Sequence, residues 1–248
     1  MTKVDSDSFH AVIFDLDSTL IDTKRYPIRG SEWLLSKCVP DVSKILESYV
    51  RELLRNYYNA IEAIIDGAAY VNPFELVKTA IKATLKALGM NVKPSLVDEA
   101  TRIFRQLHLD LSEAYPGVPS LLEGLRARGV RMAIVSNSFD GHARAIMQKI
   151  GLDQFFEVMV DSGDVKAYKP MRAPFEYALR GLGADRSSSL YVGDEFYADV
   201  VGAYRAGIRS VWVNSRGHSL QESLARFGPE TAPLLVLSSV SDLLSYLS

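Results

Sequence analysis

Four short clusters in this sequence combine residue types that can do chemistry together. Asp15-Leu16-Asp17-Ser18-Thr19 sets two carboxyls one residue apart. Ser136-Asn137 pairs a hydroxyl with an amide, Lys169-Pro170 offers an amine, and Gly193-Asp194 is followed by Asp199. Each type has a task in metal-assisted phosphoryl transfer. A carboxylate can attack phosphorus and split one hard displacement into two easier ones. A second carboxyl nearby can protonate the leaving oxygen and later take a proton from water. Mg²⁺ prefers hard oxygen ligands and needs only one or two carboxylates besides phosphate and water. A hydroxyl and an amine can donate to the equatorial phosphoryl oxygens, where transition-state charge is spread.

These residues act together only if the fold gathers them. Residues 9–16 form a short apolar run that ends in acid, as in a strand buried on both faces of a parallel sheet. Similar runs return at 130–135, 156–160, 189–192, 208–213 and 233–237. Helical patterns over 118–128, 140–150, 173–182 and 197–206 separate them, several stopping at a glycine (Gly129, Gly151, Gly183, Gly207). Alternating strands and helices predict a doubly wound α/β fold, a parallel sheet covered on both faces. In such sheets ligands bind beyond the carboxyl ends of the strands, where all four clusters fall.

Residues 24–115 break the rhythm. From Asp41 to Leu88 good helix formers carry apolar residues three and four apart, and Pro73 and Pro94 can each open a helix. No strand is expected here, so the stretch reads as an all-helical insert. The division predicted is 1–23 with 116–248 as a catalytic core, and 24–115 as a helical cap.

Composition bounds the function. The 248 residues include 28 Lys plus Arg against 30 Asp plus Glu, so no excess of positive charge draws nucleic acid or an anionic bilayer. The single cysteine, Cys38, can neither close an intrachain disulfide nor build a cysteine-rich zinc site. The N-terminus is polar and acidic, and no apolar stretch approaches the roughly 18 residues of a membrane span. A cytoplasmic protein with no nucleic-acid or membrane partner is expected.

In order and in spacing, the four clusters resemble the motifs of the haloacid dehalogenase-like (HAD) hydrolases, from about Ala11 to Asn214. The resemblance implies a Rossmann-like core with a helical cap inserted directly after the first motif. It implies Asp15 as nucleophile and Mg²⁺ ligand, and Asp17 as general acid and base whose backbone carbonyl also reaches the metal. Ser136, Asn137 and Lys169 would bind phosphate, while Asp194 and Asp199 would complete the metal site. Ser18 stands where the family commonly has Gly, and Glu195 where Ser, Thr or Asn is usual. Lys166 is a rival for the phosphate lysine, although the Lys-Pro pairing favours Lys169.

Within the family, dehalogenases and phosphonate-cleaving enzymes typically lack the second aspartate, which is present here as Asp17. The resemblance therefore implies a Mg²⁺-dependent phosphatase of a small phosphorylated metabolite, working through an aspartyl-phosphate on Asp15. The alternatives are a sugar phosphomutase or, further off, a non-hydrolytic phosphate-binding or signalling relative.

Overall fold

A computed structural model describes residues 9–246; the polar stretch 1–8, from which no leader is expected, lies outside the described residues. The chain divides into two compact units, Met1–Asp22 with Glu113–Ser248, and Thr23–Ser112.

The strands in chain order are β1 (Ala11–Phe14), β2 (Ile21–Asp22), β3 (Glu113–Ala114), β4 (Arg131–Ser136), β5 (Val158–Asp161), β6 (Ser189–Gly193), β7 (Arg209–Val213) and β8 (Leu235–Leu237). Six of them form the sheet β5-β4-β1-β6-β7-β8, parallel at every pairing. The chain builds outward from β1 to β5, then crosses back to β6 on the other side of β1. That reversal puts the switch point of the strand order at β1, whose carboxyl end is the usual ligand position in such sheets.

The helices are α1 (Arg25–Leu35), α2 (Leu46–Ile65), α3 (Pro73–Ala87), α4 (Pro94–Leu111), α5 (Val118–Ala127), α6 (His142–Lys149), α7 (Ser162–Val165), α8 (Arg172–Leu182), α9 (Gly202–Ala206), α10 (Leu220–Phe227) and α11 (Leu243–Tyr246). All four residues of β1 are fully buried, which its unbroken apolar run requires. Ala11 and Ile13 lie in one cluster with Ala133, Val135, Val160 and Tyr191, against Phe175, Ala178 and Leu182 of α8 and Ala203 of α9. Each large aliphatic side chain buried this way contributes about 1.5–3 kcal/mol, enough to hold the strand ends in place.

The unit Thr23–Ser112 is built from α1 to α4. Pro73 and Pro94 open α3 and α4 at their first turns, and the Asn72 side chain accepts from the Glu75 amide to cap α3. Tyr49, Leu53, Leu76, Ile81 and Phe104 are buried within it. No helix among the described residues is long and apolar enough to cross a membrane.

Two elements differ from the sequence reading. Glu113–Ala114, within the stretch read as wholly helical, is a short strand paired antiparallel with β2. Two residues are too few to show any periodicity. The helix expected over 197–206 opens as a π-helical turn, Phe196–Val201, and becomes α-helical only in α9. Such wide turns recur at functional sites. This one sets the Asp199 side chain against Gly193, where a Cβ would lie 2.3 Å from the Asp199 carboxyl carbon.

Candidate active site

Asp15 directly prolongs β1. Its amide donates to the Val192 carbonyl at 2.8 Å, so the neighbouring strand fixes where the carboxyl starts. The chain then turns sharply, with Ser18 in the left-handed region at φ 63°, a conformation glycine adopts at less cost. The Ser18 amide closes the turn on the Ile21 carbonyl at 2.9 Å.

Lys169 is the hub of the site. It is 3% exposed, and its Nζ donates to Asp15 Oδ1 at 2.5 Å, Asp199 Oδ1 at 2.7 Å and Tyr191 Oη at 3.0 Å. Its backbone is clasped by Asn137: the Lys169 amide donates to Oδ1 at 2.9 Å, and Nδ2 donates to the Lys169 carbonyl at 3.2 Å. The Lys169–Pro170 peptide is cis. Lys166, the rival lysine, is exposed in a left-handed residue that ends α7. The structure thus brings Lys169, not Lys166, to the carboxylates.

Beyond β6, the Trp212 indole donates to the Asp194 carbonyl at 2.9 Å and holds the turn. The Asp194 carboxylate is 3.1 Å from the half-exposed Arg216 guanidinium. Asp199 Oδ2 accepts from the Glu195 amide at 2.9 Å, tying the π-helical turn back to the strand end.

Beyond β4 and β5 the contacts are of another kind. Ser136 Oγ donates to Ser138 Oγ at 2.8 Å, accepts from the Ser138 amide at 3.0 Å, and lies 3.4 Å from Asp17 Oδ2. Asp161 is paired in register with Ser136. Its carboxyl accepts from the Gly141 amide at 2.9 Å, and it caps α7 reciprocally with Asp164.

The electrostatics follow from burial. Asp15 is pushed up to about 7: burial raises it, the Lys169 ammonium pulls it back, and Asp199 and Asp17 raise it again. Asp194 is pushed up to about 9 by burial and then by Asp15, Asp199 and Glu195, against a smaller pull from Arg216. Burial alone would lower the lysine, yet Asp15 and Asp199 hold Lys169 well above its ordinary value. The pocket holds more carboxyl groups than Lys169 and Arg216 can balance, so their ionisation is resisted until a further cation joins them.

That surplus suits a small divalent cation. Single oxygens of Asp15, Asp194 and Asp199 all lie within 4.8 Å of one another. Asp15 Oδ2 is buried without a hydrogen-bond partner. The donors are hard carboxylate oxygens with no sulfur or imidazole among them, which fits Mg²⁺ better than a softer metal.

The residues singled out from sequence are therefore gathered around β1, and Asn137 enters through its grip on the Lys169 backbone. Sequence reasoning missed three neighbours. Tyr191 lies inside an apolar strand run and gives no signal. Asp161 ends β5 and Arg216 follows β7, so the strand-end rule applied to those strands would flag both.

The profile of the family described as "Haloacid dehalogenase-like hydrolase" matches residues 12–213. The chain is 27% identical over 205 residues to glyceraldehyde 3-phosphate phosphatase of Methanothermobacter thermautotrophicus, covering 83% of this chain and 85% of that one. It is 28% identical over 241 residues to pyrophosphatase PpaX of Halalkalibacterium halodurans, covering 95% of each. The L-2-haloacid dehalogenase RSc1362 shares the fold, with a TM-score of 0.77 at 20% identity over 96% of this chain and 98% of that one. With the profile spanning most of its length, the chain belongs to the haloacid dehalogenase-like hydrolase family.

Proposed function

We propose that this hydrolase is a Mg²⁺-dependent phosphatase of a small phosphorylated metabolite, with Asp15 as nucleophile. The observation that carries the reading is the Lys169 ammonium shared by Asp15 and Asp199. It holds positive charge beside the attacking oxygen, where a phosphoryl group would need it. The two phosphatase relatives named above support the same reading.

In the first half-reaction an Asp15 oxygen bonds to phosphorus as the ester P–O bond breaks, and Asp17 gives its proton to the departing alkoxide. In the second, Asp17 takes a proton from water, whose oxygen attacks phosphorus and releases the Asp15 carboxylate and inorganic phosphate. Ser136 Oγ, 3.4 Å from Asp17 Oδ2, turns its one proton from Ser138 Oγ to a phosphoryl oxygen when the substrate is bound. Lys169 turns the N–H it gives to Asp15 toward the same group while keeping its bonds to Asp199 and Tyr191, and Asn137 keeps the Lys169 backbone in place. Asp15, Asp194 and Asp199, with the Asp17 backbone carbonyl, would hold Mg²⁺. When bound, the ion supplies positive charge against the phosphoryl oxygens. The helical unit takes the cap function implied by the family resemblance.

Hydrolysis of p-nitrophenyl phosphate, with Mg²⁺ and with chelator, tests the reading. Turnover is expected with the metal and only background without it. Halide release from a 2-haloacid, with no phosphate ester hydrolysed, would overturn it. A panel of phosphorylated metabolites then identifies the substrate.

A further inference from the structure

We propose that Tyr191 is a positioning residue that fixes the Lys169 ammonium between Asp15 and Asp199; this rests on the phosphatase reading. Tyr191 is fully buried in β6, opposite Ile13 in register, in a face otherwise made of apolar side chains. Its ring packs against Phe175 with centroids 4.8 Å apart. A phenylalanine would pack equally well, and burying a hydroxyl costs free energy unless it is bonded. Packing alone therefore does not account for the hydroxyl.

The bonds do. An ammonium has three N–H groups, and Lys169 directs them to Asp15, Asp199 and Tyr191. The phenol accepts from the ammonium, so its own proton is free for Asp199 Oδ1 at 3.0 Å, with the Val135 carbonyl at 3.5 Å as the weaker choice. The hydroxyl thus closes a triangle of lysine, aspartate and tyrosine. Remove it and the ammonium keeps two acceptors, both carboxylates, and can swing about the line joining them. An arriving phosphoryl group then meets a mobile donor, and the stabilisation specific to the transition state is lost.

Tyr191→Phe tests this, with Phe175→Leu as the packing control. For Tyr191→Phe, kcat on p-nitrophenyl phosphate should fall about tenfold and orthovanadate inhibition weaken about tenfold, with KM moving less, as for loss of one hydrogen bond to a charged group. In a Lys169→Met background the second change should weaken vanadate no further. Phe175→Leu loosens the same ring but keeps the hydroxyl, so it should lower Tm and leave vanadate inhibition as in the parent. The proposal is overturned if Tyr191→Phe matches the parent, if its effect adds fully to that of Lys169→Met, or if both ring variants weaken vanadate in proportion to lost Tm. A parent protein with neither phosphatase turnover nor vanadate binding would overturn the phosphatase reading itself, and this proposal with it.

Discussion

The carboxyl ends of β1 and β6 hold three buried carboxylates, two on the Lys169 ammonium and the third on Arg216, whereas those of β4 and β5 hold groups tied to backbone amides. At the first pair, Asp15 and Asp194 are each raised by burial and then by other carboxylates, and an Asp15 oxygen lacks a partner. At the second, Ser136 and Asp161 accept from the amides of Ser138 and Gly141. One side leaves charge unmatched by the protein and so is prepared for a ligand. The other spends its polar groups on holding loops and helix starts. The difference grades residues by how much of their bonding is left for a ligand, with Ser136, which also faces Asp17, between the extremes.

Asp15→Asn should break the contrast most severely. We expect kcat to fall about 10⁴-fold or more, as for removal of a nucleophile. The same change should raise the Tm of the metal-free protein, because it removes a carboxylate whose ionisation the buried cluster resists. Steady-state kinetics and calorimetry on one preparation check both. Lys169→Ala should lower kcat by about 10²–10³-fold, as for an electrostatic donor aimed at transition-state charge. Here Tm should fall as well, since Asp15 and Asp199 both lose the cation between them.

Gly193→Ala leaves every chemical group in place. The added Cβ would overlap the Asp199 carboxyl group, and a displacement of about an ångström costs on the order of 10²-fold in rate. The Mg²⁺ concentration for half-maximal rate should rise with it. Ser136→Ala should cost only about tenfold in kcat, the size of one hydrogen bond near a charged group.

The smallest effect on turnover is expected at Asp161, where Asp161→Asn should leave kcat within about twofold while changing how stability depends on pH. Burial pushes the Asp161 carboxyl up to about 8 from 3.8, with Asp164 adding repulsion against the pull of the Ala143 and Gly141 amides. Between those values the folded chain holds a proton that the unfolded chain has released. The group's stabilisation is thus complete below about pH 4 and is lost as pH rises through 8. The variant should narrow the Tm gap between pH 6 and pH 9, by about 2–4 °C for each kcal/mol removed. An unchanged gap would place the titration elsewhere.

How much could be read beforehand follows from what each feature leaves in the chain. Strands buried on both faces need continuous apolar runs, so β1, β4 and β6 are visible, and with them Asp15, Ser136 and Asp194 at their ends. Asp15 and Asp194 could be found because a charge beside such a run stands out. Tyr191 could not, because its hydroxyl matters only through Lys169, which arrives from a loop distant in sequence. The choice of Lys169 over Lys166 is legible from the Lys-Pro pairing, whereas the left-handed residue at the end of α7 that leaves Lys166 exposed is not. The π-helical turn differs from an α-helical one by a single extra residue, below what periodicity resolves.

The pairing of β2 with β3 carries a consequence for protein engineering. Asp22 and Glu113 are opposite one another in register, and the Tyr115 amide continues the ladder to the Leu20 carbonyl at 3.0 Å. Everything between them therefore departs and returns through adjacent positions, like a side road with one junction. Loop-closure cost grows only slowly with the length spanned, so such a junction tolerates inserts of very different size. Exchange of Thr23–Ser112 for the segment of a relative is therefore expected to keep the register of the parallel sheet, which the Tm and the structure of such a chimera would check.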